Sequence, residues 1–186
     1  MVMRSHKILY VEDDGNDRRL MERAFAAEGA SAWLHVVENG VEAMAWLRGD
    51  GDYEDRKRYP LPQMLLLDLA LPRADGMAVL RWVREQPSLA ELLVVVFSGS
   101  YQQEHIDAAY QLGANAFLRK PTGVAGLREV ARLLRLWLRH GVPRPGPARK
   151  WEGAAVEDPP REDWPRGWER FPLHKPQGFR TWGEGR

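Results

Sequence analysis

Met64-Leu65-Leu66-Leu67-Asp68-Leu69-Ala70-Leu71-Pro72 is the stretch whose reading decides the fold. Four apolar residues run straight into one carboxylate, and a proline follows four positions later. An apolar run that short, bounded by turn signals, reads as a strand buried on both faces, as in a parallel sheet. Asp68 then stands at the carboxyl end of the strand, where ligands gather in open α/β sheets. Taken alone, Asp68 reads equally well as a helix or turn cap. The rest of the chain decides between the two.

Toward the N-terminus the pattern recurs. Lys7-Ile8-Leu9-Tyr10-Val11 is a β-rich run that ends in Glu12-Asp13-Asp14. Gly15-Asn16-Asp17 opens a helix with Leu20, Ala24, Phe25 and Ala27 as its apolar face, and Gly29 stops it. Ala32-Trp33-Leu34-His35-Val36-Val37 reads as a second strand, Asn39-Gly40 as a turn and cap, and residues 41–48 as a helix with Ala43, Met44 and Leu47 inward. Residues 49–62 are polar, hold Gly49, Gly51, Pro60 and Pro62, and read as a long surface loop.

Beyond Asp68, Asp75-Gly76 signals a turn into a helix whose apolar face includes Met77, Leu80 and Val83. Leu92-Leu93-Val94-Val95-Val96-Phe97 is strongly strand-like and enters Ser98-Gly99-Ser100. A helix over 102–112 ends at Gly113, a good C-cap. Ala116-Phe117-Leu118-Arg119 is a short strand leading to Lys120-Pro121, and 127–140 is a final helix. A strand followed by a helix, five times over, predicts an α/β fold: a doubly wound parallel sheet with helices on both faces.

Bulk properties narrow the function. The 186 residues suffice for one cored domain and an appendage, with 44% hydrophobic and 28% charged residues as in ordinary soluble domains. A net charge of +1 argues for neither nucleic acid nor a membrane surface, and no apolar stretch is long enough to span a bilayer. The chain has no cysteine, which excludes disulfide and thiolate chemistry and is compatible with a reducing cytosol. Met1 to Ser5 enters a strand and not a signal-peptide core, so a cytoplasmic location is expected. No glycine-rich phosphate loop follows any strand, and the five histidines lack ligand spacing for zinc.

Four strand ends carry polar groups: Glu12-Asp13, Asp68, Ser98 and Lys120. In a parallel sheet these ends share one edge and could converge on one pocket. With Ile8-Leu9-Tyr10-Val11-Glu12-Asp13, Leu67-Asp68-Leu69-Ala70-Leu71-Pro72 with Asp75-Gly76, Val95-Val96-Phe97-Ser98-Gly99, and Gly113-Ala114-Asn115-Ala116-Phe117-Leu118-Arg119-Lys120-Pro121, residues 6–140 resemble a response regulator receiver domain of the CheY-like superfamily. The long loop and Leu71-Pro72-Arg73-Ala74-Asp75-Gly76 look similar to stand-alone regulators paired with phytochrome-type histidine kinases.

The resemblance implies a flavodoxin-like strand order 2-1-3-4-5 and a set of roles. Asp68 would accept a phosphoryl group from a sensor histidine kinase. Glu12 and Asp13, with Asp68 and the backbone carbonyl of Ala70, would hold Mg²⁺. Lys120 and Ser98 would bind phosphoryl oxygens, Phe117 would repack as the aromatic partner of Ser98, and Pro121 would follow a cis bond that aims Lys120 into the pocket. Such a protein is a phosphorelay switch and no enzyme beyond self-phosphotransfer and autodephosphorylation. Asp14 falls to a helix cap. Ser98 replaces the usual threonine but keeps its hydroxyl, and Ala70 lacks the polar side chain often found there, beside the path of hydrolytic water. One alternative is a Mg²⁺-dependent aspartyl-phosphate phosphatase of the haloacid dehalogenase type, for which Ala70 stands where an acid/base residue is needed. Another is a phosphate-sink receiver without output.

In the last helix Leu127, Val130, Ala131, Leu134 and Leu138 form an inward stripe, and Leu133, Leu136 and Trp137 widen the apolar arc. The excess predicts a homodimer through the fourth helix, fifth strand and fifth helix, a face that related regulators use. Arg128, Arg132, Arg135 and Arg139 form a basic stripe read as a solvated face, with no nucleic-acid role. From Gly141 the composition shifts to prolines, charges and the aromatics Trp151, Trp164, Trp168, Phe171, Phe179 and Trp182. The domains expected are therefore a receiver over 1–140 and a Pro/Trp-rich tail over 141–186, extended or disordered, with no separate output domain and with its tryptophans available as interface anchors.

Overall fold

The computed structural model describes residues 6–100 and 102–140; the tail expected over 141–186 lies outside them. Strands β1 (Ile8–Val11), β2 (Leu34–Val37), β3 (Met64–Leu67), β4 (Leu93–Ser98) and β5 (Ala116–Arg119) alternate with helices α1 (Gly15–Ala27), α2 (Gly40–Arg48), α3 (Gly76–Glu85), α4 (Gln103–Gln111) and α5 (Val124–His140). The strands form one parallel sheet in the order β2-β1-β3-β4-β5, as expected. Tyr10 lies opposite Leu66 and Val11 opposite Leu67, which brings Glu12 and Asp68 to the same edge one residue later.

Alternation along the strands divides the core into two layers. Leu9, Val11, Leu65, Leu67, Val94 and Val96 face α2, α3 and α4, with Phe117 from β5 in the same layer. Ile8, Tyr10, Met64, Leu66, Val95 and Phe97 face α1 and α5. Local chemistry starts each helix that serves the site. Asp14 caps α1 by accepting from the Asn16 and Asp17 amides, and Asp75 caps α3 by accepting from Ala78. Asn39 caps α2 through the Glu42 amide, while the Glu42 carboxylate takes the Glu38 amide and the Asn39 side chain in return. Gly76 must be glycine: a Cβ there would lie 2.2 Å from the Asp68 carbonyl oxygen and 2.7 Å from Leu69 Cα.

Three expectations change. The apolar arc of α5 is spent within the domain, because α5 packs against α1 as well as the sheet. Leu133 and Trp137 are only 2% and 6% exposed, buried with Phe25, Ala30 and Leu134, which leaves Leu136 half-buried and removes two of the three anchors of the predicted dimer face. The basic stripe stays solvent-exposed at Arg128, Arg132 and Arg139, as read, but is more than a solvated face. Arg128, Arg132 and Arg135 reach Glu28 at the end of α1, and the Arg135 and Arg139 guanidinium groups stack over Trp33. Third, no peptide bond among the described residues is cis, so Lys120–Pro121 is trans. The trans form is the default for X–Pro by about 0.5–1 kcal/mol, and Lys120 reaches the pocket without the cis form.

Candidate functional site

The carboxyl edge of the sheet gathers the polar strand ends into one site. Asp68 follows β3 directly, is 5% exposed, and its Oδ1 accepts from the Ala70 amide at 3.2 Å. Glu12 follows β1 and is 1% exposed, whereas Asp13 beside it faces solvent. One oxygen from each of Glu12, Asp13 and Asp68 lies within 4.8 Å of the others. Lys120, just past β5, sends its ammonium to Asp68 Oδ2 at 2.8 Å, to Asp17 Oδ2 at 3.0 Å, and to Glu12 Oε2. All three ammonium protons are thereby used. The backbone holds the lysine in place as well, since its amide donates to the Ser98 carbonyl at 2.9 Å.

Ser98 ends β4 at the same edge, 2% exposed, with its Oγ accepting from the Ser100 amide at 3.2 Å. Phe117 is fully buried, and its amide donates to the Tyr110 hydroxyl at 3.2 Å. Ala70 is exposed at the mouth, and Pro121 is half-buried against Gly126. Asp14 caps α1, as expected, with its side chain bound to the Asn16 and Asp17 amides.

Two functional neighbours escape sequence reasoning. Asp17, on the first turn of α1, is the third carboxylate on Lys120; its signal is the four-residue spacing from Asp13, which returns a helical residue to the strand end. Tyr10 donates its hydroxyl to Glu12 Oε2 at 2.7 Å; its signal is the two-residue strand spacing that puts 10 and 12 on one side.

The electrostatics follow from burial. Desolvation pushes the Glu12 carboxyl above its ordinary value, against the hydrogen bonds from Lys120 and Tyr10 that favour its anion. Burial alone would lower the Lys120 ammonium, but the hydrogen bonds to Asp68 and Glu12 outweigh it and hold the group above its usual range. Desolvation, then the charge of Glu12, likewise raises Tyr10, which stays a neutral donor. The site has more negative than positive charge, with carboxylates Glu12, Asp13, Asp17 and Asp68 around one ammonium. Clustered carboxylate oxygens of this kind fit a hard divalent cation that retains several waters.

A family model for the response regulator receiver domain matches residues 8–132. The chain belongs to the response regulator receiver domain family. This receiver is 35% identical over 120 residues to the response regulator Rcp1 of Synechocystis, across 64% of this chain and 80% of Rcp1. The crystal structure of the phosphorylated cyanobacterial phytochrome response regulator RcpA superposes with a TM-score of 0.66 at 31% identity, covering 76% of this receiver chain and 99% of RcpA. The Mn²⁺-bound form of Rcp1 superposes with a TM-score of 0.64 at 33% identity, over 72% of this chain and 94% of that one. As members of this family, such chains act in two-component signalling. No helix among the described residues of this receiver is long and apolar enough to cross a membrane.

Proposed function

We propose that Asp68 accepts a phosphoryl group from the phosphohistidine of a sensor histidine kinase and that the modified site switches the receiver's interactions. The observation that carries this reading is the placement of the Lys120 ammonium 2.8 Å from a buried carboxylate that also belongs to an acidic cluster. In the step, an Asp68 carboxylate oxygen attacks phosphorus and forms a P–O bond. The P–N bond breaks, and the imidazole nitrogen keeps the electron pair and gains a proton. The Ala70 amide and Lys120 fix the two Asp68 oxygens beforehand. Lys120 then turns donors from carboxylates to the phosphoryl oxygens, a point-charge role suited to lysine. Ser98 offers its hydroxyl to the same group from the end of β4.

Glu12, Asp13, Asp68 and the Ala70 carbonyl are the groups that would hold Mg²⁺, whose charge would offset repulsion between the incoming phosphoryl oxygens and the carboxylates. The Mn²⁺-bound form of Rcp1 supports a divalent cation here. Phe117 is already enclosed, so its part in the switch is a shift within the core as Ser98 moves. The similarity to RcpA, a phytochrome response regulator, supports a phytochrome-type kinase as the donor, and the exchange is assigned to the cytoplasm in this reading. Residues 1–140 are the phosphorylated unit in this reading, and the sequence of 141–186 carries no catalytic motif.

Beryllofluoride with Mg²⁺ mimics a phosphoryl group on a carboxylate and tests the reading. Amide resonances of Asp68, Ser98, Phe117 and Lys120 are expected to shift together, and the Asp68→Asn protein is expected to give no response. Equal responses from the two proteins would refute the assignment.

A further inference from the structure

Glu12 is nearly devoid of solvent contact, yet it is the part of the acidic cluster whose two oxygens are most heavily engaged. Oε2 accepts from the Tyr10 hydroxyl at 2.7 Å and from Lys120, and Oε1 accepts from the Asp14 amide at 3.2 Å. A carboxylate offers about four lone-pair positions. These three donors therefore leave Oε1 as the oxygen with capacity to spare.

The three donors differ in how firmly they are held. Lys120 divides its ammonium among Glu12, Asp17 and Asp68, and its long stem is flexible. The Asp14 amide belongs to the exposed N-cap of α1. Tyr10 is different: it is 1% exposed, locked in β1 between β2 and β3, and its ring meets Phe97 of β4 edge-on at 6.2 Å between centroids. It is also a neutral side-chain donor fixed by the core and not shared with another carboxylate.

Resting on the reading of Glu12, Asp13 and Asp68 as a divalent-cation site, we propose that Tyr10 is a positioning residue for that site. Its buried hydroxyl pins Glu12 Oε2 toward the core and so presents Oε1 to the cation. Groups that orient a metal-binding side chain from behind typically contribute about 10–100-fold to metal affinity. A phenylalanine in place of Tyr10 keeps the ring, its packing on Phe97 and the strand, and removes one oxygen atom.

The experiment titrates Mn²⁺ alone into the full chain, with free Mn²⁺ read by electron paramagnetic resonance. Four proteins are compared: wild type, Tyr10→Phe, Glu12→Asp, and the double variant. Far-ultraviolet circular dichroism and metal-free unfolding report the fold separately. Tyr10→Phe is expected to weaken Mn²⁺ binding by about tenfold or more. Glu12→Asp keeps the charge but shortens the side chain out of reach of the Tyr10 hydroxyl, so adding Tyr10→Phe to it is expected to cause no further loss. Unchanged affinity in Tyr10→Phe, or equal losses from that change in both backgrounds, would overturn the role of Tyr10 while leaving the cation site intact. A wild-type chain that binds no Mn²⁺ would overturn the cation site and the role of Tyr10 with it.

Discussion

Replacing Lys120 by methionine removes the one ammonium that serves three carboxylates and keeps most of the side-chain volume. Glu12 and Asp68 are 1% and 5% exposed, so neither can recover its hydration when the cation goes. Stranding one partner of a buried ion pair costs about 3–5 kcal/mol. Asp17 is 41% exposed and adds little, because water solvates it once released. Part of the penalty relaxes by protonation, since burial already raises the Glu12 carboxyl. A net destabilisation of about 2–4 kcal/mol at neutral pH follows, or roughly 10 °C in Tm for a domain of this size. Thermal unfolding of Lys120→Met in EDTA checks the figure. Two further arms check the cause. Lowering the pH toward 5 should shrink the deficit as the stranded Glu12, whose carboxyl burial already raises, takes up a proton. Saturating Mg²⁺ should stabilise Lys120→Met more than wild type, because positive charge returns to the cluster. A variant that unfolds in EDTA at or above the wild-type temperature would refute the dependence of these carboxylates on Lys120.

Other perturbations probe the surroundings of the site. Gly76→Ala drives a Cβ to 2.2 Å from the Asp68 carbonyl oxygen, so it should lower stability by about 2 kcal/mol or more and weaken Mn²⁺ binding, both read on the same sample. Arg84→Met breaks the bonds to the Gly113 and Leu92 carbonyls and to Asn115 Oδ1, which also accepts from the Val94 amide. It should cost about 2–4 kcal/mol in urea unfolding, and combined with Asn115→Ala it should lose less than the sum. His35 packs on Trp46, its Nε2 is buried without a partner, and burial, with Lys7 second, lowers its pKa below 6.5. The folded state therefore binds its proton more weakly than the unfolded chain, so the stability it contributes is present above pH 6.5 and is lost as pH falls below it. Glu12, raised by burial, titrates in the opposite sense, so the measurement is a difference: His35→Phe should show a shallower loss of urea stability between pH 6.5 and 5 than wild type.

Strand ends are the most legible feature of this sequence, for a physical reason. A strand buried on both faces must be continuously apolar, so the first polar residue after it marks the edge where ligands collect. That logic places Glu12, Asp13, Asp68, Ser98 and Lys120 at one edge, and the structure has them there. Helix faces are less legible because they depend on what else packs nearby. On α1, Met21 is buried and Ala27 exposed, contrary to the stripe read from spacing. On α2, Trp46 turns inward because the loop that follows wraps it: its indole donates to the Pro60 carbonyl, and Tyr53 and Tyr59 pack on its ring. Trp137 and Leu133 look like surplus apolar surface until α1 is placed against α5.

Within the site, types of residue are readable and partnerships are not. A lone tyrosine in a strand reads as core, and only the two-residue alternation hints that Tyr10 serves Glu12. Asp17 reads as a first-turn acid that suits a helix N-terminus, and nothing in the sequence reveals its bond to a lysine more than a hundred positions away. The Lys120–Pro121 bond shows the converse, since the lysine meets Asp68 with every described peptide bond trans.

In the proposed reaction Asp68 carries the phosphoryl group with help from a divalent cation and Lys120. The most direct measurement is the intact mass of the full chain after incubation with a small phosphodonor and Mg²⁺. A gain of one phosphoryl group that disappears in Asp68→Ala and in EDTA is expected. A chain that gains no mass, or one that gains it equally with Ala at position 68, would contradict the proposed reaction.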